Sequence, residues 1–491
     1  MTAWILLAVY FVAMLFVFLF SICQFNLALI YRKVRGRYSS SKVSSANLPK
    51  VTIQLPVFNE RYVVKRLIDA IAALDYPKEL LEVQVLDDST DETSDIIRQH
   101  LGTLTEVFDF KHIQRSVRTG YKAGALHEGL SVAQGELIAI FDADFVPKPD
   151  FLLRTVGVFS NPSIGMVQSR WSHINRDFGA LTKFQAFWLD AHFSIEQTGR
   201  NVSKSFINFN GTAGVWRKEC IIDAGGWSAD TLSEDLDLSY RAQLKGWKFK
   251  YLQDLESPSE LPVLLPSIRS QQYRWNKGAA ESARKHIKNI LTSSLNKKTK
   301  TFAVFHLLNS SVFVWLLIGS LVSVPMVYYK AVTPDFSFYV NLFSVFIPGF
   351  IFITFFYWVS YKDSIEDHSV KHFLKQYFMF LAFSLGLSVH NSIAVIEGFV
   401  GRKTPFVRTP KFNITDKNMS IVENQYLSFK LSPLIILEAL LCIYFLFGLG
   451  IGFYLYEYGM MFLHGLMSAG LAAIVYFSIV PYKGYYSKRN G

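Results

Sequence analysis

Glu136-Leu137-Ile138-Ala139-Ile140-Phe141-Asp142-Ala143-Asp144 is a short apolar run that stops abruptly in two carboxylates one residue apart. Bounded by polar residues at this length, it reads as a buried strand of a parallel sheet. Strand side chains alternate faces, so Asp142 and Asp144 leave its C-terminal end pointing the same way. Open α/β sheets bind ligands at that end. Two hard oxygen donors there suit Mg²⁺ or Mn²⁺ holding phosphate oxygens. An isolated Asp-x-Asp is also readable as a pair of solvated loop aspartates.

On the N-terminal side of this run, VTIQL (51–55), VQVL (83–86) and HIQR (112–115) read as further strands. Between them Val64, Leu67, Ile68 and Ile71 share one helical face, and helical patterns start at Asp91 and cover Ala123 to Ala133. Such alternation predicts a parallel sheet covered by helices on both faces. The first strand runs into Pro56-Val57-Phe58-Asn59-Glu60 and the second into Asp87-Asp88-Ser89-Thr90-Asp91. Carboxylates that converge on one crevice are costly without a cation or a hydrogen-bonding ligand. Pro56, Glu60, Asp87 and Asp88 are therefore candidate ligand-site residues, with helix N-capping the alternative for the two aspartates. Gly120-Tyr121-Lys122-Ala123-Gly124 opens a helix whose N-terminus and Lys122 suit a diphosphate; a glycine-started surface helix is the plainer reading.

On the C-terminal side, Phe209-Asn210-Gly211-Thr212-Ala213-Gly214 is a polar glycine turn, and Ser233-Glu234-Asp235-Leu236-Asp237-Leu238 opens a helix. Carboxylates are favoured in a first helical turn with or without a chemical role. Trp247 to Tyr251 alternates as a strand does. Gln271-Gln272-Tyr273-Arg274-Trp275 offers a planar fork for phosphate beside a flat face for a sugar ring. An interfacial Trp next to a snorkelling Arg has the same spelling.

At 51% hydrophobic and 18% charged, the 491 residues are too apolar for an ordinary soluble enzyme and too charged for a membrane bundle alone. Trp4 to Tyr31 reads as a first transmembrane helix and not a secretory signal. The net charge of +11 clusters beside apolar spans, at Arg32, Lys33, Arg35, Arg37 and Lys42 and again from Arg284 to Lys300. This marks membrane lipids and the cytosolic side, not nucleic acid. Three cysteines give no disulfide framework or zinc spacing. Five more apolar spans run at about 302–329, 336–360, 373–400, 433–456 and 459–481. A basic C-terminal tail placed inside and an N-terminus placed outside need an odd number of crossings. The polar-interrupted 373–400 is therefore expected to be bent or interfacial.

DDS (87–89), DAD (142–144), SED (233–235) and QQYRW (271–275), in this order between apolar spans, resemble the processive membrane synthases of glycosyltransferase family 2. The likeness is greatest to the cellulose-synthase-like A group, the mannan synthases, and their bacterial relatives. It is strong over about residues 50–290 and loose beyond. The resemblance implies a GT-A fold, an α/β nucleotide-diphospho-sugar transferase domain, cytosolic and inserted between transmembrane helices. Residues 1–31 would be the first span, 32–50 a basic and serine-rich linker, 51–260 the catalytic domain, and 261–300 amphipathic interface helices. Residues 301–491 would be a bundle with a gating-like loop at 401–430.

For the site, the resemblance implies donor contacts from Asp88 and Asp87, with Pro56, Glu60, Lys122, Gln271 and Arg274 beside them, and Mg²⁺ or Mn²⁺ on Asp142 and Asp144. It implies Glu234 and Asp235 at the catalytic position, Asp235 as general base, and Trp275 with Asn210, Gly211 and Thr212 near the acceptor. SED stands for the commoner TED. In the gating-like loop Phe406, Thr409 and Lys411 match, whereas Arg408 stands where valine is usual.

One base without a second nucleophile implies inversion. The expected activity is transfer from GDP-mannose or UDP-glucose to a growing β-linked, 1,4-type polysaccharide that is passed through the membrane. Such an enzyme would sit in a plasma, bacterial inner or Golgi membrane. Single-sugar transfer to a lipid, as in ceramide glucosyltransferases, is the alternative, and an inactive transporter or scaffold a third reading. Protein partners are not indicated.

Overall fold

The computed structural model describes residues 1–36, 47–104, 109–365, 368–414, 426 and 431–489, with backbone alone at 334–335 and 481–489. Arg37, Lys42 and the serine-rich linker, and most of 415–430, lie outside the described residues.

Seven strands form one sheet in the order β3-β2-β1-β4-β6-β5-β7. They are β1 (Val51–Val57), β2 (Leu81–Asp87), β3 (Asp109–Gln114), β4 (Leu137–Ile140), β5 (Ile164–His173), β6 (Gly214–Arg217) and β7 (Lys248–Ser259). The alternation in VTIQL explains β1. Val51, Ile53, Leu55 and Val57 enter the core on one face. On the other face its polar residues find partners on β2: Thr52 donates to Glu82 at 2.6 Å and Gln54 to Gln84 at 3.0 Å. Each fully buried Val, Ile or Leu contributes about 1.5–3 kcal/mol, and paired polar groups avoid the desolvation penalty between them.

The strand–helix alternation predicts a parallel sheet, but the observed sheet is mixed. β6 runs antiparallel to both β4 and β5. The chain returns beside β4 through the turn at 210–213, and the Ala213 amide donates to the Ile140 carbonyl at 2.8 Å. That return comes only after β5 and the helical segment at 180–202, so β6 is set antiparallel by its pairing with β4 and β5 and not by a hairpin. β7 then pairs parallel to β5 and is longer than the alternating Trp247–Tyr251 indicates.

Helix α2 (Val64–Ala72) buries the four expected positions Val64, Leu67, Ile68 and Ile71. Next come α3 (Thr93–Gly102) and α4 (Tyr121–Val132), the latter preceded by Gly120 at φ +72°. Helix α5 (Glu234–Leu244) carries the SED carboxylates and α6 (Leu265–Thr292) carries QQYRW.

Among the described residues five helices are long and apolar enough to cross a membrane: α1 (Thr2–Val34), Asn309–Val332, Phe336–Ser364, Leu434–Tyr454 and Met461–Val480. The expected span 302–329 is displaced, because Lys297–Leu307 forms a separate helix capped by Asn296. The pair Val370–Gly386 and Ser388–Val400 is bent by 51°, the break expected of its polar residues. An apolar segment not anticipated, Ala180–Ala191 continued through a π-helical turn to Val202, docks the catalytic domain on the bundle. Phe187 stacks on Tyr357 at 5.4 Å and Phe184 on Phe383 at 5.2 Å.

Candidate active site

A cavity of about 200 Å³ lies over the C-terminal ends of β1, β2 and β4. Sixteen predicted residues border it: Pro56, Glu60, Asp88, Lys122, Asp142, Asp144, Asn210, Gly211, Glu234, Asp235, Gln271, Arg274, Trp275, Phe406, Thr409 and Lys411. Carboxylates from four separate motifs and the gating-like loop thus meet in one place.

Both carboxylates of the DAD pair face ammonium groups. Lys122 Nζ lies 2.5 Å from Asp142 Oδ1, and Lys411 Nζ lies 2.7 Å from Asp144 Oδ1. Burial alone would lower the Lys122 pKa, but Asp142 and Glu234 outweigh it and raise it, so the ammonium stays charged. The two carboxylates are hard oxygen donors of the kind Mg²⁺ and Mn²⁺ take, each now balanced by a lysine. Among the described residues no third His, Cys, Asp or Glu joins them.

Asp235 sits in the first turn of α5, and its Oδ1 accepts from the Leu236 amide at 2.7 Å. Burial, then the neighbouring Glu234, push its pKa up to about 7. A β-carbon added to Gly211 would lie 3.0 Å from its Oδ2, so glycine at φ +80° lets the turn approach the carboxylate. From α6, Arg274 donates to Thr409 at 2.7 Å and lies over the Phe406 ring at 4.6 Å. Trp275 meets Trp188 edge-on at 6.0 Å.

Two predicted residues do not border the cavity. Asp87 is buried behind it, accepting from Ser94 at 2.6 Å, Gln114 at 3.1 Å and the Ser89 amide at 2.9 Å, with His112 at 2.9 Å. Burial would raise its pKa, but the bonds from His112, Ser89 and Ser94 hold it well below the usual carboxylate range. Asp87 does not cap the helix that follows, whose N-cap is Glu92 with no side-chain cap bond; of the two aspartates Asp88 alone reaches the cavity, gripped by Arg115. Thr212 is likewise fully buried, where its hydroxyl accepts from the Asp142 amide at 2.8 Å.

Sequence reasoning missed Arg118, Trp171, His173 and Glu260, all of which border the cavity. The paired arginines of QRSVRTG were the available signal for Arg115 and Arg118, since two cations after a strand need anions nearby. Arg408, noted only as a departure from valine, takes Glu60 in a two-pronged ion pair at 3.0 and 2.6 Å. Lys411, Phe412 and Asn413 continue this attachment, the last two donating their amides to Glu260 at 2.9 Å.

Residues 49–278 match the family model described as "Glycosyltransferase like family 2". Glucomannan 4-beta-mannosyltransferase 2 of Arabidopsis thaliana is 38% identical over 400 residues, 78% of this chain and 72% of that protein. The chain belongs to glycosyltransferase family 2. This glycosyltransferase is also 40% identical to the probable glucomannan 4-beta-mannosyltransferase 3 of Oryza sativa subsp. japonica, over 72% of the chain and 63% of that protein. A mannosyltransferase from Pyrobaculum calidifontis, solved in complex with GDP-Man and Mn²⁺, superposes with a TM-score of 0.53 at 19% identity. It covers 74% of this chain and all of its own, and the likeness establishes the GT-A fold. The glycosyltransferase is thus a membrane protein whose catalytic fold precedes most of its apolar helices.

Proposed function

We propose that this glycosyltransferase moves a hexosyl unit from a nucleoside-diphosphate sugar to the 4-hydroxyl of a growing β-1,4-linked polysaccharide, with inversion. The observation that carries the proposal is Asp235: a half-buried carboxylate raised to about 7, bordering the same cavity as Asp142, Asp144 and Arg274. The names of the relatives favour mannosyl transfer, hence GDP-mannose as donor, with UDP-glucose the second candidate.

An acceptor hydroxyl is a poor nucleophile at neutral pH. A sugar ring laid on Trp275 would bring it to Asp235, which takes its proton as attack proceeds. Negative charge growing on the departing diphosphate meets Lys122, Arg274 and Lys411 in a site shielded from water. Mg²⁺ or Mn²⁺, held by Asp142 and Asp144, would supply further neutralisation of the diphosphate. Glu234, 4.0 Å from Lys122, helps keep that ammonium charged. Single displacement on an α-linked donor gives a β-linkage. The basic end of α1, with Arg32 and Lys33 in its last turn, leads into the catalytic domain and supports a cytosolic side for it.

Purified protein in lipid nanodiscs, given a panel of labelled nucleotide sugars with Mg²⁺ or Mn²⁺, should consume GDP-mannose. The product should be a polymer cleaved by an endo-β-1,4-mannanase. A single labelled glycolipid would sink the polymer reading.

A further inference from the structure

Gln168 lies in the middle of β5, has no exposed surface, and does not border the cavity. Its carboxamide nevertheless holds the turn that does. Gln168 Nε2 lies 3.1 Å from the Thr212 carbonyl and 3.0 Å from those of Ala213 and Ser169, and Oε1 accepts from the Asn210 amide at 3.0 Å. The turn needs holding, because Gly211 stands at φ +80° and Ala213 at φ +53°, a region L-residues rarely adopt.

That turn touches three working groups. The Gly211 carbonyl accepts from Lys122 at 2.9 Å, Thr212 Oγ1 accepts from the Asp142 amide at 2.8 Å, and Gly211 packs against the Asp235 carboxylate. Metal-side aspartate, lysine and base are thus referenced to one four-residue turn. We infer that Gln168 is a positioning residue for transfer, touching no substrate but setting the turn Asn210–Ala213 that aligns Asp235 with Asp142. This deepens the proposed function and rests on its assignment of Asp235 as the base.

Gln168→Met keeps the side-chain volume and removes all four contacts, so kcat should fall on the order of 10²-fold, as misplacement by about 1 Å does. The donor Kd, measured calorimetrically, should stay within about threefold because the donor contacts remain. The acid limb of the pH profile should move to lower pH, since a loosened turn admits water to Asp235. Val167→Ala, a buried neighbour on the opposite face of β5, controls for lost stability and should leave kcat within about twofold. Should Gln168→Met fail to fold, Gln168→Asn, which keeps the amide one methylene short, should show the same split at smaller size. Unchanged kcat, a donor Kd that rises in proportion to the loss of kcat, or an equal loss in Val167→Ala would overturn the inference. An active Asp235→Asn enzyme would remove the base reading beneath it, whereas inactive Asp235→Asn with active Gln168→Met would remove this inference alone.

Discussion

As the proposed base, Asp235 meets two opposed demands: ionised, it can accept a proton, yet its surroundings favour the neutral form. With its pKa near 7, kcat/KM should fall about tenfold per pH unit below neutrality, read from a pH–rate profile. Asp235→Asn should lower kcat by about 10³-fold while donor binding survives. The same shift governs stability. The unfolded carboxyl ionises near 3.8 and the folded one near 7, so between these values the unfolded chain releases a proton that the folded chain keeps. Stability lost through this group therefore grows from about pH 4 to about pH 7 and is constant above. Asp235→Asn should melt above the wild type at about pH 8 and alongside it at about pH 4. Gly211→Ala places a methyl group against Asp235 Oδ2 at a backbone angle that costs an L-residue about 1–2 kcal/mol. Its kcat should drop at least about tenfold while donor Kd holds.

The base and the Arg274–Trp275 wall ride on different helices, so the joint between α5 and α6 matters as much as either residue. Asp237, fully buried two positions beyond the base, makes that joint. It lies 2.7 Å from His286 and Lys285 of α6 and 2.9 Å from Arg241, which in turn ties down the Gly226 carbonyl at 2.8 Å. Burial alone would raise its pKa, but His286, Lys285 and Arg241 hold it well below the usual range. The stability it lends is present above about pH 4 and lost as pH falls below that value. Asp237→Asn should cost about 3 kcal/mol in denaturant unfolding, since Lys285 and Arg241 lose their anion and His286 its carboxylate partner.

Legibility followed the same division between local and distant causes. β1 and α2 were readable because a period of two and a period near 3.6 are written in consecutive residues. β6, four residues long and reversed, carries no such period and is placed by its partners. Asp87 and Asp88 are indistinguishable as letters, and only the alternation of a strand end decides which one meets the cavity. The pairing of Arg408 with Glu60 spans 348 residues, so nothing near either one announces the other.

For the molecule as a whole, the proposed cytosolic side rests on the basic end of α1. In a background with Cys23, Cys220 and Cys442 replaced, a membrane-impermeant maleimide should label Tyr458→Cys on intact cells or sealed vesicles of native orientation. Glu128→Cys, on the catalytic domain, should react only after permeabilisation. The reverse pattern would refute the cytosolic assignment. The cavity is also assembled from the length of the chain: its floor comes from residues 56 to 144, and Phe406, Arg408, Thr409 and Lys411 close it from beyond the bent helix pair. A ribosome that has delivered only the catalytic fold has therefore delivered no finished enzyme. On the proposed reading, glycan assembly would wait until those later helices were in place, and sugar nucleotide would be safe from a half-made polypeptide.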